Sequence, residues 1–464
     1  MSVVERAKEL QPELVRLRRS LHREPELGLQ LPRTQEKVLS ALDGLPLELT
    51  LGKSLTSVTA VLRGGKPGGA VLLRGDMDAL PVTEESGVPY ASEVSGRMHA
   101  CGHDLHTAGL VGAARLLAER REHLHGDVVF MFQPGEEGHN GAGTMIEEGV
   151  LEAAGKPLDA AYALHVAANR VPGGVVITRS GTITSASDRL TVTVRGKGGH
   201  GSTPAAAKDP IPVACEMVTA LQTWVTRTFD IFDPVVVTVG SFHAGTQANV
   251  IPDSAEFHAT VRSYSESAQE RLAEGLPRLV TSIAAAHGLD AEADYQTNYP
   301  VTVNDADETA FALATARDLF DPREVWESPQ PTNGSEDFAH VLQQVPGAML
   351  LLGAAPERAD WQYAPMNHSP RAVFDDRVLY RQAALLTELA ERRLAGTGRS
   401  AGAAESRDPQ VRGNPRNRLF ASAPSSASWS SSSCSAVSYR GRTRRCCPRS
   451  RTRGTSAPLM PSGS

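Results

Sequence analysis

Cysteine is scarce in this chain: there are five in 464 residues, and Cys434, Cys446 and Cys447 all lie near the C-terminus. Only Cys101 and Cys215 remain in the preceding body, so no disulfide framework is implied. Long hydrophobic runs are missing as well. AMLLLGAA at 348–355 is typical of the longest and falls far short of the ~20 residues that span a bilayer. The N-terminal MSVVERAKELQPELVRLRRS carries charge every few residues and lacks the apolar stretch of a signal peptide. A cytoplasmic chain with no membrane partner is expected. Positive charge is also short where a nucleic-acid binder would need it. From residue 396 onward, twelve Arg stand against Glu405 and Asp408, a net +10. Subtracting that from the overall −6 leaves −16 on residues 1–395, which argues against nucleic acid as a partner.

Residues 396–464 are dominated by Ser, Arg, Pro and Gly, as in ASWSSSSCS at 427–435. Such a composition buries too little apolar area to offset chain entropy, so this tail is expected to be disordered. The body has the opposite character. It alternates short β-branched runs with helical stretches, the pattern of an α/β fold with a mainly parallel sheet. AVLLR (70–74), DVVFMFQ (127–133), AAYALHV (160–166) and AMLLLG (348–353) read as strands, and 104–120 has helical periodicity.

From about 183 to 296 the period changes. DRLTVTVRGKGG, PVVVTVGSFHAG and EFHATVRSY alternate with period two, as antiparallel strands do, with helices expected near 210–228 and 266–287. This stretch reads as an α+β satellite domain inserted into a larger one. The larger domain is thereby split into 1–182 and 297–395, and helices return at 305–320 and 375–395.

Polar clusters follow directly on the apolar runs: LRGDMDALP after 74, QPGEEG after 132 and LHV at 164–166. The carboxyl ends of strands in an open parallel sheet line one crevice, where ligands bind. MHACGHDLH at 98–106 precedes a helix, and MNHSP follows the 348–353 strand. Together these clusters offer Cys101, His103, Glu137, His165 and His368, a mixed sulfur, nitrogen and oxygen set suited to zinc-like metals. Five ligands are too many for one tetrahedral ion with an open position. Two metals sharing a ligand or a water use the set economically, with Cys101 a candidate for the shared position. Gly135 and Gly138 flank Glu136 and Glu137, so adjacent carboxylates can aim at different atoms. Glu137 is assigned to the metal, and Glu136 to the general base that takes a proton from a metal-bound water. Asp78 is expected to orient a ligating imidazole.

These motifs are similar in order and spacing to those of the M20 metallopeptidases, specifically the amidohydrolase branch of N-acyl-amino-acid, hippurate and auxin-conjugate hydrolases. The resemblance runs from SLHREPELG at 20–28 to about residue 394 and includes GAGTMIEEGVL, GGHGSTP, NVIP, GSEDF and NHSP. It implies two divalent metals, zinc, manganese or cobalt, on the five ligands named above, and Glu136 as base. Asp76 stands where related peptidases place a ligating His and is left outside the set. The satellite domain would supply His200 to the developing oxyanion. Asn249 and Arg262 would hold the substrate, an N-acyl amino acid, with Gly334 and Ser335 lining its pocket. The resemblance further implies a homodimer paired through the satellite domains. Two alternatives differ in class: a hydrolase using Cys101 as nucleophile with His103 as base, and a metal-binding carrier without turnover.

Overall fold

The computed structural model describes residues 1–357 and 359–401. Apart from its first few residues, the tail expected to be disordered lies outside the described residues. The first stretch of chain runs α1 (Val3–Arg23), α2 (Pro32–Leu42), β1 (Leu47–Leu51), β2 (Val58–Arg63), β3 (Lys66–Asp76), α3 (His103–Glu119), β4 (His125–Gln133), α4 (Gly141–Glu147), β5 (Ala160–Ala167), β6 (Val176–Thr178) and β7 (Gly181–Thr184). It continues through β8 (Ser187–Arg195), β9 (Gly199–His200), α5 (Pro210–Thr228), β10 (Val236–Ala244), β11 (Val250–Ile251), β12 (Ser254–Arg262), α6 (Glu266–Ala286) and β13 (Asp290–Tyr299). The chain then returns as β14 (Thr302–Asn304), α7 (Ala306–Leu319), β15 (Val325–Glu327), α8 (Ala339–Leu342), β16 (Gly347–Gly353) and α9 (Leu379–Ala401).

Eight strands form one sheet in the order β1-β2-β4-β3-β5-β16-β6-β15. Its centre is parallel, through the pairs β3 with β4, β3 with β5 and β5 with β16. Its β1 flank is antiparallel. Val71, Leu72, Leu73, Ala161, Tyr162, Leu350 and Leu352 are all fully buried, because helices cover both faces of the central strands. That is why these strands read as continuous apolar runs. One face packs on α1, α3 and α9 through Leu14, Leu110 and Leu386. The other packs on α4 and α8 through Met145 and Val341.

The satellite is a separate antiparallel sheet, β10-β12-β8-β13. Leu190, Val192 and Val194 of β8 and Ala255, Phe257 and Ala259 of β12 point inward on alternate residues, onto Leu221 and Met217 of α5 and Leu272 and Leu276 of α6. Only one face is covered, so the alternation expected from the sequence is the observed one. The outgoing and returning segments are paired twice, β7 with β14 and β8 with β13, each with a register break. This double ribbon joins the satellite to the large sheet. Among the described residues no helix is long and apolar enough to cross a membrane.

Candidate dinuclear metal centre

The cluster gathers at the carboxyl ends of the parallel strands. Asp76 ends β3, the Pro134–Asn140 loop leaves β4, His165 lies near the end of β5, and His368 lies on the segment after β16. Gly102 caps α3 with φ +86°, and a Cβ there would meet Val166 Cγ2 at 2.4 Å. Only glycine lets the chain turn this tightly, with Cys101 just before the cap and His103 as the first helical residue.

Cys101 Sγ lies 3.4 Å from His165 Nε2 and 3.3 Å from His368 Nε2. Glu137 Oε1 lies 3.1 Å from His368 Nε2 and 4.0 Å from His103 Nε2. Among the described residues five donor groups could hold a cation, and two of them share Cys101: Cys101 with His103 and His165, and Cys101 with Glu137 and His368; the others are Asp76 with His103 and His106, His103 with Glu136 and Glu137, and Glu136 with Glu336 and Asp337. In each triad all ligand atoms lie within 4.8 Å of one another. His103 and Glu136 are buried at the back, Glu137 is half-buried, and His368 is exposed.

The surrounding hydrogen bonds orient these donors. His165 Nδ1 donates to the Val166 carbonyl at 2.8 Å, which leaves Nε2 free to face Cys101. His106 bonds Asp76 through Nδ1 at 2.5 Å and accepts from Val166 N–H through Nε2 at 2.7 Å, so both its nitrogens are committed. His103 is fully buried, and neither ring nitrogen has a hydrogen-bond partner among the described residues. Leaving two imidazole nitrogens unpaired is costly unless a cation takes one of them, so the residues present fit a metal. His368 has φ +71°, a left-handed conformation rare for a non-glycine residue, and its N–H is tied to the Ala100 carbonyl at 2.8 Å.

Asp78 stands beside the His103 imidazole and also ties the Glu-Glu turn. Its oxygens accept the Glu136 and Glu137 N–H groups at 3.0 Å each, while His103 Nδ1 is 3.5 Å away. It shapes the Glu-Glu turn first and neighbours the imidazole second. Burial, followed by the charges of Glu336, Glu137 and Asp337, pushes the Glu136 carboxyl well above the usual range, partly offset by His103. Burial lowers His103, but Asp76 and Cys101 more than compensate and raise it. Contacts with Cys101 and Glu137 push His368 up to about 10. A bound cation would act on all these groups in the opposite sense to a proton.

Beneath Glu136 lies a network that sequence reading did not single out. Arg74 donates to Asp76 at 2.5 Å, Glu336 at 2.7 Å and Asp337 at 3.1 Å, and Asp337 also accepts from Gln133 and from Ala142 N–H. The available signal was a charged residue inside the apolar run AVLLR and the acidic pair in GSEDF. On the other side of α3, buried Arg18 and His22 of α1 each reach Asp104 at 2.7 Å.

The satellite candidates stand apart from the cluster. His200 is exposed, and its Nδ1 meets Ser202 Oγ at 2.8 Å. It makes no hydrogen bond to any of the five donors among the described residues. Asn249 is exposed beside it, with its carbonyl accepting from Gly201 N–H at 2.8 Å. Arg262 is half-buried with Nη1 unpaired, and burial lowers its pKa against the pull of Asp188. Gly334 accepts from Ser185 N–H at 2.9 Å beside the connecting ribbon, with partly exposed Ser335 following.

Comparison with known proteins gives the family. The model for peptidase family M20/M25/M40 matches residues 72–392. The chain is 37% identical over 376 residues to thermostable carboxypeptidase 2 of Saccharolobus solfataricus, covering 80% of this chain and 93% of the relative. It is 35% identical over 379 residues to the N-acetylcysteine deacetylase of Bacillus subtilis, covering 81% and 96%. A solved Bacillus subtilis structure described as a dinuclear metal-binding peptidase from the M20 family superposes with a TM-score of 0.71 at 32% identity, covering 84% of this chain and 99% of that one. With this much of its length matched, and with the motifs gathered in one cleft, the chain belongs to peptidase family M20.

Proposed function

We propose that the protein is a metal-dependent amidohydrolase that cleaves the amide bond of N-acyl amino acids or similar small conjugates. The observation that carries this reading is the pair of donor triads meeting at Cys101. Relatives named as deacetylases and as an indole-acetyl-amino-acid hydrolase support the substrate class. Cys101, His103, Glu137, His165 and His368 would hold two divalent ions, zinc, manganese or cobalt. Such ions polarise a carbonyl and make water acidic enough to attack it.

This chain's own residues supply the rest. Glu136, adjacent to the donors but committed to none of their hydrogen bonds, takes the proton of the attacking water and passes it to the leaving amine. His200 donates to the oxyanion of the tetrahedral carbon. Arg262 pairs with the substrate carboxylate, an assignment supported by its unpaired half-buried guanidinium. Asn249, Gly334 and Ser335 complete the pocket. His200 reaches the reacting carbonyl from a second copy of the chain, in a homodimer paired through the satellite sheets. Support comes from the edge strand β10, whose Val236 and Phe242 side chains are exposed. As working boundaries, 183–296 forms the satellite and 1–182 with 297–395 the catalytic domain. A cytoplasmic location belongs to the same proposal.

The test is Glu136→Gln, assayed on a panel of N-acyl amino acids. Turnover should fall ~10²-fold or more at parental metal content. Loss of metal instead would exchange the roles of Glu136 and Glu137. Activity that survives a chelator but not thiol alkylation would favour Cys101 as nucleophile.

A further inference from the structure

The turn that carries Glu136 and Glu137 is tight and partly left-handed. Gly135, Gly138 and Asn140 all have positive φ, at +74°, +79° and +52°. Within the turn Gly138 N–H bonds the Glu136 carbonyl at 2.7 Å and Gly141 N–H bonds the Gly135 carbonyl at 3.0 Å, and two side chains tie it from outside. Asp78 ties it from the catalytic side, as described above. The tie from the opposite side comes from the last residue of the satellite sheet. Tyr299 ends β13, its side chain is buried, and its hydroxyl donates to the Glu136 carbonyl at 2.5 Å and accepts from the Asn140 N–H at 3.3 Å. One phenol thus bridges both ends of the segment that holds the general base.

The backbone of the same residue belongs to the connecting ribbon. Tyr299 pairs with Ser187 just past a register break after Thr297, and Pro300 leads from it into β14. Its carbonyl accepts from Gln269 Nε2 of α6 at 3.2 Å, and the same amide donates to Asp188 Oδ1 of β8 at 2.9 Å. This backbone is one of the two connections, β7–β8 and β13–β14, that join the satellite sheet to the large sheet. A rigid, buried aromatic ring links it to the turn.

We propose that Tyr299 is a positioning residue that couples the connecting ribbon to the base: its hydroxyl holds the Glu136–Asn140 turn in register with the satellite sheet, so that the satellite's position sets the aim of the Glu136 carboxylate. This deepens the functional reading above and rests on Glu136 being the base. Gln269 is the satellite-side partner, and removing it should weaken the same coupling without touching the cleft.

The test compares Tyr299→Phe, Gln269→Leu, their double variant and Glu136→Gln, each as full-length protein loaded with metal, by steady-state kinetics, metal content and thermal unfolding. Tyr299→Phe keeps the ring and loses only the hydroxyl. Its kcat should fall about tenfold or more, with KM within about twofold and metal content at the parental value. A purely structural role would change stability or metal content and leave kcat per loaded site intact. Gln269→Leu should lower kcat less, and the double variant should be no worse than Tyr299→Phe alone, because both act on one linkage. Parental kcat in Tyr299→Phe, or losses that multiply in the double variant, would overturn the proposal. If Tyr299→Phe does not fold, Gln269→Leu decides: reduced kcat at full metal content supports the coupling, and parental kcat refutes it. Activity retained in Glu136→Gln would instead overturn the assignment of the base, so the two failures are distinguishable.

Discussion

The change Asp78→Asn probes how strongly the Glu-Glu turn is preorganised. Asp78 is 1% exposed, and its two oxygens accept the N–H groups of Glu136 and Glu137 at 3.0 Å each. Asparagine is nearly isosteric but offers one acceptor oxygen, so its NH₂ must face the other N–H. One hydrogen bond to a charged group is lost, worth about 1.5–3 kcal/mol, and a donor is left opposing a donor at a buried position. Allowing for relaxation of the turn, the organised geometry should lose about 2–4 kcal/mol. At about 1.4 kcal/mol per decade, kcat should drop roughly 30- to 1,000-fold. The assay is release of free amine from an N-acetyl amino acid, with metal content measured on the same sample and urea unfolding run alongside. A kcat within threefold of the parent at full metal content would refute the reasoning. So would a defect cured by excess metal, which would mean that Asp78 acts through His103 Nδ1, 3.5 Å away, and not through the turn.

Other outcomes follow from the same contacts. Cys101→Ser replaces the donor common to both triads with a far poorer ligand, so metal affinity should fall and added metal should partly restore activity; unchanged affinity by titration would remove Cys101 from the ligand set. Burial lowers the pKa of His22, but Asp104 and Glu84 overcome it and hold it above 6.5, so the folded chain binds the extra proton. Its stabilising contribution is complete below that pH and is lost as pH rises through the folded value; His22→Gln should therefore flatten the decline in unfolding free energy on the alkaline side, and superimposable profiles would contradict this. Mixing His200→Ala with Glu136→Ala after dissociation should restore about a quarter of parental activity, since half the dimers are mixed and each has one complete site. No recovery from proven mixed dimers would place His200 in its own chain's site.

Much of the fold was legible in the sequence because burial leaves a periodic trace. β3, β4, β5 and β16 are covered on both faces and read as unbroken apolar runs, whereas β8 and β12 are covered on one face and alternate. The donors were legible for a related reason: Glu137 and His165 sit where apolar runs end, Cys101 and His103 where a helix begins, and strand ends in a parallel sheet converge. Which donors meet was a different matter. That Cys101 Sγ lies between His165 and His368, residues 64 and 267 positions away, follows from the order in which strands enter the sheet, and no local pattern encodes it. The residue type and position of Asp78 point to the imidazole it neighbours. Only the path of the turn showed its oxygens meeting two backbone N–H groups. Arg74 is a single charge closing an apolar run in the sequence, and only the fold encloses it with Asp76, Glu336 and Asp337. Tyr299 carried no signal, since one tyrosine ending an alternating strand looks like any other. Local burial and backbone preference write themselves into consecutive residues, whereas contacts between distant segments depend on how the layers stack, and those contacts decide what the polar groups of this cleft can do.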